Sequence, residues 1–221
     1  MDLYQFLHFA HVLCVIYWVG TSIGVVGLTI AQKNSDYSYD QRRMLIRLSL
    51  DIDIAPRIAM VIITPIGLHL ASMNGLLEIP TYVLVLVWLM AFIWLGGEYI
   101  THGREHEPFA VKFYITIGVI MAIACLSLMG FGIYALINGW PFLQAWLALK
   151  ALLLGLVFLV SISMARYYAP LVNVVERLRT EGSTDEIENS ICFYINRGLA
   201  GSFTLIFLWA AIVYLAINKP F

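Results

Sequence analysis

Six long apolar stretches separated by short polar ones leave this chain few ways to fold. They run roughly Leu3 to Ala31, Ile54 to Met73, Ile79 to Ile100, Val111 to Ile137, Phe142 to Ala165 and Ile191 to Ile217, each near the ~20 residues that span a hydrocarbon core. A backbone in lipid must satisfy its own hydrogen bonds, so all six are expected to be helices. With 61% hydrophobic and 12% charged residues, a 221-residue chain is too apolar for a water-soluble domain. The expectation is an all-α integral membrane protein, a single bundle of six transmembrane helices with residues 1–221 as one domain, embedded in a lipid bilayer and with no nucleic acid among its partners. The first stretch lacks a basic leader and a small-residue cleavage site, so it is expected to be retained. Cys14, Cys125 and Cys192 stand singly, without the spacing of a disulfide frame or metal knuckle.

Lys and Arg set the orientation, because short loops that carry them stay in the cytoplasm. Loops after the first, third and fifth helices hold Lys33, Arg42, Arg43, Arg47, Arg104, Lys112, Arg166, Arg177 and Arg179, whereas the other side has only Lys219 and the embedded Lys150. Both termini are therefore expected on the non-cytoplasmic side of a multi-pass protein, with a bacterial inner membrane as the expected location. Tyr4, Tyr82, Trp140, Trp146 and Tyr214 suit an interfacial belt. Two cytoplasmic connections exceed a turn. Gln32 to Asp53 interleaves Arg42, Arg43 and Arg47 with Met44, Leu45, Leu48 and Leu50, the pattern of an amphipathic helix on the membrane surface, and Tyr167 to Asn189 is expected to form short interfacial helices.

His11 and His69 lie in different apolar stretches at similar depth from the same face. Counting ~1.5 Å per residue puts His11 roughly 10 Å in from Tyr4 and His69 roughly 8 Å from Asn74. Ionisable groups inside a bilayer are costly and usually functional. Two imidazoles at one depth suit the axial ligation of a b-type haem, with copper, a proton path or polar helix contacts as alternatives; Met73 lies near enough to serve copper. Pro65 and Gly67 precede His69 and would bend and thin its helix where a flat macrocycle needs room. Trp18, with Val15 and Ser22, falls within about 40° of the His11 face, while Gly20, Gly24 and Gly27 fall near the opposite side and are expected to pack closely on another helix. His8, three residues before His11, is an alternative ligand or a hydrogen-bond partner for a propionate.

Lys150 lies ten residues beyond Trp140 in the fifth stretch, at nearly the same depth. An ammonium there needs an anion, and a cofactor carboxylate or anionic substrate is the expected partner, with snorkelling to the interface as the alternative. A second, weaker candidate is the run Glu98, His102, Glu105, His106 and Glu107. The four-residue spacing of His102 and His106 would put both rings on one helical face, as in a two-imidazole metal site or a quinone-linked site, although a solvated surface fits the same run. Asp53 and Arg57 are spaced for an ion pair within one helix.

These residues together resemble the HemJ-type protoporphyrinogen oxidases and the wider copper-resistance CopD superfamily. The resemblance rests on His11 followed by Trp18 and Gly20, on Arg42 and Arg43 before the second helix, on Trp146 and Lys150 one helical turn apart, on Asn196 and Arg197, and on the closing Asn218, Lys219, Pro220 and Phe221. It covers about half the chain. It implies a haem-containing helix bundle with His11 as a haem-linked histidine and Lys150 as a functional lysine. The chain departs from that pattern by an extra hairpin through its third and fourth helices, and by Asn196, Arg197 and Gly198 where an acidic residue and a proline are expected.

The functional expectation is a membrane-embedded haem b protein, with bis-histidine ligation by His11 and His69, that passes electrons to or from a quinone or a redox partner protein near the outer face. Alternatives are a protoporphyrinogen-oxidase-like enzyme, a copper transport or resistance protein, and a membrane anchor subunit of a larger redox complex or a homo-oligomer.

Overall fold

The computed structural model describes residues 2–102, 104 and 107–220. Among them lie seven helices: α1 (Leu3–Ala31), α2 (Tyr39–Ile52), α3 (Ile54–Met73), α4 (Thr81–Thr101), α5 (Pro108–Asn138), α6 (Ala145–Glu181) and α7 (Asp185–Asn218). Six spans are long and apolar enough to cross a membrane, α2 and α3 together supplying one. The protein is thus an all-α membrane protein that returns to its starting side, here called the terminal end. Apolar side chains cover most of the helix surface, including Ile23, Val85, Phe92, Leu126 and Phe207, as lipid requires.

Local sequence explains the helix ends. Asp2 and Ser38 each accept a backbone N–H three residues on while Gln5 and Gln41 return a bond to the cap, so both α1 and α2 begin with a capping box. Gly139 ends α5 in the left-handed conformation at φ 71°, which spares a side chain the strain of that turn. Pro65 sits inside α3, where its missing N–H leaves the Val61 carbonyl without a helical partner, yet α3 continues through it.

Helix association in lipid rests on close packing, since lipid tails are as apolar as side chains, and small residues permit it. Here the seams are marked by glycine. A methyl group on Gly132 would lie 2.9 Å from the Ala148 carbonyl oxygen, and one on Gly155 would lie 3.0 Å from that of Cys125, fixing α5 on α6. Gly198 and Gly201 do the same for α7 against Tyr168 and Met164 of α6, and Gly97 receives Phe113 where α4 meets α5. The result is two three-helix groups, α1 with α3 and α4, and α5 with α6 and α7. They meet in a core of Trp18, Ala59, Ile63, Cys125, Val157, Phe158, Trp209 and Ile212.

Two expectations are corrected. Gly20 and Gly27 have nothing within 4 Å and Gly24 meets only Ile52 at 3.9 Å, so the α1 glycine stripe is not a close helix seam. The connection from Tyr167 to Asn189 does not form separate interfacial helices. Instead α6 and α7 continue through it, with 37 and 34 residues, or about 55 and 51 Å against a ~30 Å hydrocarbon core. The overhanging hairpin has its own core of Leu171, Val175, Leu178, Ile187, Ile191, Ile195 and Leu199.

Helix α2 forms as expected. Arg42 is fully buried, while Met44, Leu48 and Leu50 are exposed. Arg42 Nη2 donates to Glu188 at 2.9 Å and to the Asn34 carbonyl at 2.9 Å. Tyr39 donates to Glu176 at 2.8 Å and Lys33 to Asn196 at 2.9 Å. These contacts tie the α1–α2 elbow to the α6–α7 hairpin at the end away from the termini. Asp53 and Arg57 pair as expected at 2.8 Å.

A buried charge stripped of its partner costs about 3–5 kcal/mol. Glu188→Ala is therefore expected to lower the thermal unfolding midpoint, followed by circular dichroism in detergent, well below that of Glu181→Ala, which removes the exposed partner of Arg177. Equal midpoints for the two variants would show that the Arg42 contact contributes no more than a surface pair.

Candidate functional site

Toward the terminal end the two helix groups together line a half-open cavity of about 380 Å³. This lies within the range of small-molecule and cofactor sites. Its wall is apolar, from Val12, Val15, Ile63, Leu68, Leu128, Leu154, Ile212 and Val213, and four other kinds of group interrupt it. His8 and His11 come from α1, Thr64 from α3, Lys150 from α6 and Trp209 from α7. The imidazoles and hydroxyl thus belong to one group of helices, and the ammonium and indole to the other.

His11 is held by α3. A methyl group on Gly67 would lie 3.1 Å from His11 Cε1, so the imidazole occupies the place of a side chain that Gly67 lacks. His11 Nδ1, Thr64 Oγ1 and Trp209 Nε1 are buried without a hydrogen-bond partner among the described residues. Buried polar atoms are normally satisfied, and three of the six orphans among the described residues line this one cavity. Among the described residues Lys150 forms no ion pair, and the cavity lining holds no carboxylate, methionine or cysteine. The polar inventory is dominated by donors: an ammonium, an indole N–H and a hydroxyl. Such a wall suits a ligand rich in acceptors, above all a carboxylate.

The remaining predicted residues go elsewhere. His69 does not line the cavity; its Nδ1 accepts a bond from Trp88 Nε1 at 3.4 Å, and the rings meet edge-on at 6.5 Å between centroids. His69 therefore faces α4, and the structure does not bring it together with His11. Trp18 backs the cavity without reaching it, packing on Trp209 with ring centroids 4.3 Å apart. His8 is exposed at the cavity margin, stacked on Tyr4 at 6.1 Å. Met73, the nearest sulfur for the copper alternative, ends α3 as an exposed residue and does not line the cavity.

The second candidate dissolves for a backbone reason. Helix α4 ends at Thr101, and His102 is its cap with ψ 128°, so the four-residue spacing to His106 is not a helical one. His106 and Glu105 lie outside the described residues. Glu98 is already engaged, accepting a 3.0 Å bond from Arg57 Nη1. Among the described residues no three His, Cys, Asp or Glu side chains gather as a metal site.

No protein-family model matches the chain, and no curated protein or solved structure matches it either. The site therefore stands on its own residues. Thr64, Gly67 as a cradle, and Trp209 are the members that sequence reading did not single out as site residues. Trp209 carried the one available signal, an indole N–H in the middle of an apolar stretch, which normally finds a partner when buried.

Gly67 supplies a direct check of this geometry. Replacing it with valine is expected to leave the helix content unchanged by circular dichroism but to drive the His11 ring from its place, abolishing whatever ligand-dependent thermal stabilisation the wild type shows, as His11→Ala also does. Stabilisation that survives in Gly67→Val would separate His11 from the cavity's ligand.

Proposed function

We propose that the protein binds a haem-type porphyrin in this cavity, with His11 as the axial imidazole and Lys150 as the partner of a propionate carboxylate. The supporting observation is the pairing, on opposite walls of one apolar cavity, of an imidazole wedged against Gly67 and an ammonium with no acid among the described residues of the lining. The donor set fits one axial ligand. It does not fit the bis-histidine pair, because His69 is engaged with Trp88 on the other side of α3.

When bound, haem supplies redox chemistry whose course is set by axial ligand, polarity and access. The residues of this chain do the rest. The α3 cradle fixes the His11 ring, Lys150 orients a carboxylate toward α6, and the leucines, isoleucines and valines of the wall keep water out and strengthen the ion pair in a low dielectric. Thr64 and Trp209 offer hydrogen bonds to a further acceptor. Were haem held there by His11, it would supply oxidation chemistry to a substrate bound in the cavity, the alternative of an oxidase like the protoporphyrinogen oxidases the sequence resembles. With the basic loops in the cytoplasm, the cavity lies in the outer half of the membrane.

The reduced-minus-oxidised absorption spectrum of purified protein decides the matter. Wild type is expected to show a Soret band of high-spin, five-coordinate character. His11→Ala should lose the band, Lys150→Gln should weaken haem retention, and His69→Ala should keep the wild-type spectrum. A well-folded wild type without a Soret band would end the haem reading, and a spectrum retained in His11→Ala would remove that residue as ligand.

A further inference from the structure

Among the seams that hold neighbouring helices of the two groups together, the one between α1 and α7 is built differently. At the α1–α3, α4–α5, α5–α6 and α6–α7 seams a glycine lets two helices or a large side chain close in, but Gly20 on α1 has nothing within 4 Å. Along this seam runs a groove of about 550 Å³, lined by α1 from Val15 to Gly20 and by α7 from Ile206 to Asn218. Twelve residue steps along α7 correspond to about 18 Å of helix, more than half the thickness of a hydrocarbon core. Gly20, Ala210, Tyr214 and Ile217 are exposed on it, so in a bilayer it faces lipid tails.

The groove adjoins the cavity and shares part of its wall. Val15, Ile16, Trp209, Val213 and Ile217 line both. Its wall is aliphatic or aromatic except at Asn218, whose side-chain nitrogen is already donated to the Tyr214 carbonyl at 3.0 Å. At the opposite end the same seam is fastened by Lys33 to Asn196 and Arg42 to Glu188. The seam is thus tied at one end and open to lipid at the other, and beside the open end lies the cavity with its orphaned polar atoms.

We infer that cavity and groove form one site for an amphiphile dissolved in the membrane, its acceptor-bearing head held by Lys150 and its hydrocarbon part lying between α1 and α7. The ligand reaches the cavity sideways from the lipid phase, not from water. A hydrocarbon chain gains nothing by leaving lipid for an equally apolar groove, so the groove guides while Lys150, inside an apolar wall, supplies the polar attraction. This rests on the cavity being a site for an anionic or acceptor-rich ligand, the first half of the proposed function, and not on that ligand being a porphyrin.

The test uses a chain-brominated stearate, titrated into the protein in detergent or phosphatidylcholine vesicles. Binding is read as the saturable quenching of the emission that Trp209→Phe removes. A Cβ at Gly20 meets nothing within 4 Å, so Gly20→Phe is expected to put its ring in the groove, and Gly27, equally open on the same helix but outside the groove, gives the control Gly27→Phe. Affinity is expected to fall severalfold in Gly20→Phe and in Lys150→Gln and to stay at the wild-type value in Gly27→Phe. Wild-type affinity in Gly20→Phe would overturn the use of the groove, and wild-type affinity in Lys150→Gln would overturn the use of the cavity by the head. Absorption spectra of the same samples separate the two readings. A missing Soret band with stearate binding intact counts against haem alone, and a Soret band without groove-dependent binding counts against this inference alone.

Discussion

Close backbone approach at glycine is the interaction on which the rest of this bundle depends. Lipid offers helices no hydrophobic reason to associate, so they hold where surfaces fit. Gly132 and Gly155 lock α5 to α6, Gly198 and Gly201 lock α6 to α7, and Gly67 admits the His11 ring of α1 into α3. Each contact lies inside one group of three helices, apart from Gly97 at the α4–α5 junction. Between the groups the contact is side chain to side chain, in the core around Trp18 and Trp209, and the cavity lies beside that core.

That arrangement explains how an imidazole and an ammonium come to face one volume. His11 travels with α1 and α3, Lys150 with α6, and no helix carries both. Each is secured by its own group, so the distance between them is set by how the groups sit, which in turn depends on the core around Trp18 and Trp209 and on the polar ties at the far end. The buried Arg42 belongs to those ties. Such a pair repays little of its desolvation in stability, but its geometry is specific, and it fixes α2 against α7 where apolar contacts alone would tolerate sliding.

Much of the fold was legible in the sequence because the bilayer imposes it: apolar runs of the right length must be helices, and their limits fell close to α1, α3, α4 and α5. The lengths of α6 and α7 were not legible, since hydropathy reports where a helix leaves lipid and says nothing of where it ends. Ile187, Ile191 and Ile195 pack inside the hairpin that overhangs, a helical spacing hidden among the charges of Asp185, Glu186 and Glu188. Within the site, Lys150 and His11 could be found because an ionisable residue in lipid announces itself. The error was to pair by depth. Depth fixes one coordinate, but the direction around the helix is the other, and His69 stands two residues, or about 200°, from Gly67 on the same helix. Gly67 faces α1, so His69 turns to Trp88 on α4.

The same angular argument bears on α1 itself. Glycines on the side away from His11 read as a packing stripe, yet a stripe without a partner helix opens a surface instead of closing one. Gly20 lies beside a groove that shares its wall with the cavity. On one helix, then, His11 faces inward to a cradle on α3 while Gly20 leaves room at the lipid boundary. The helix that carries the cavity's imidazole also leaves the seam beside α7 open. A larger residue at Gly20 would fill that opening away from the ring, because the opening and the His11 ring lie on different faces of α1.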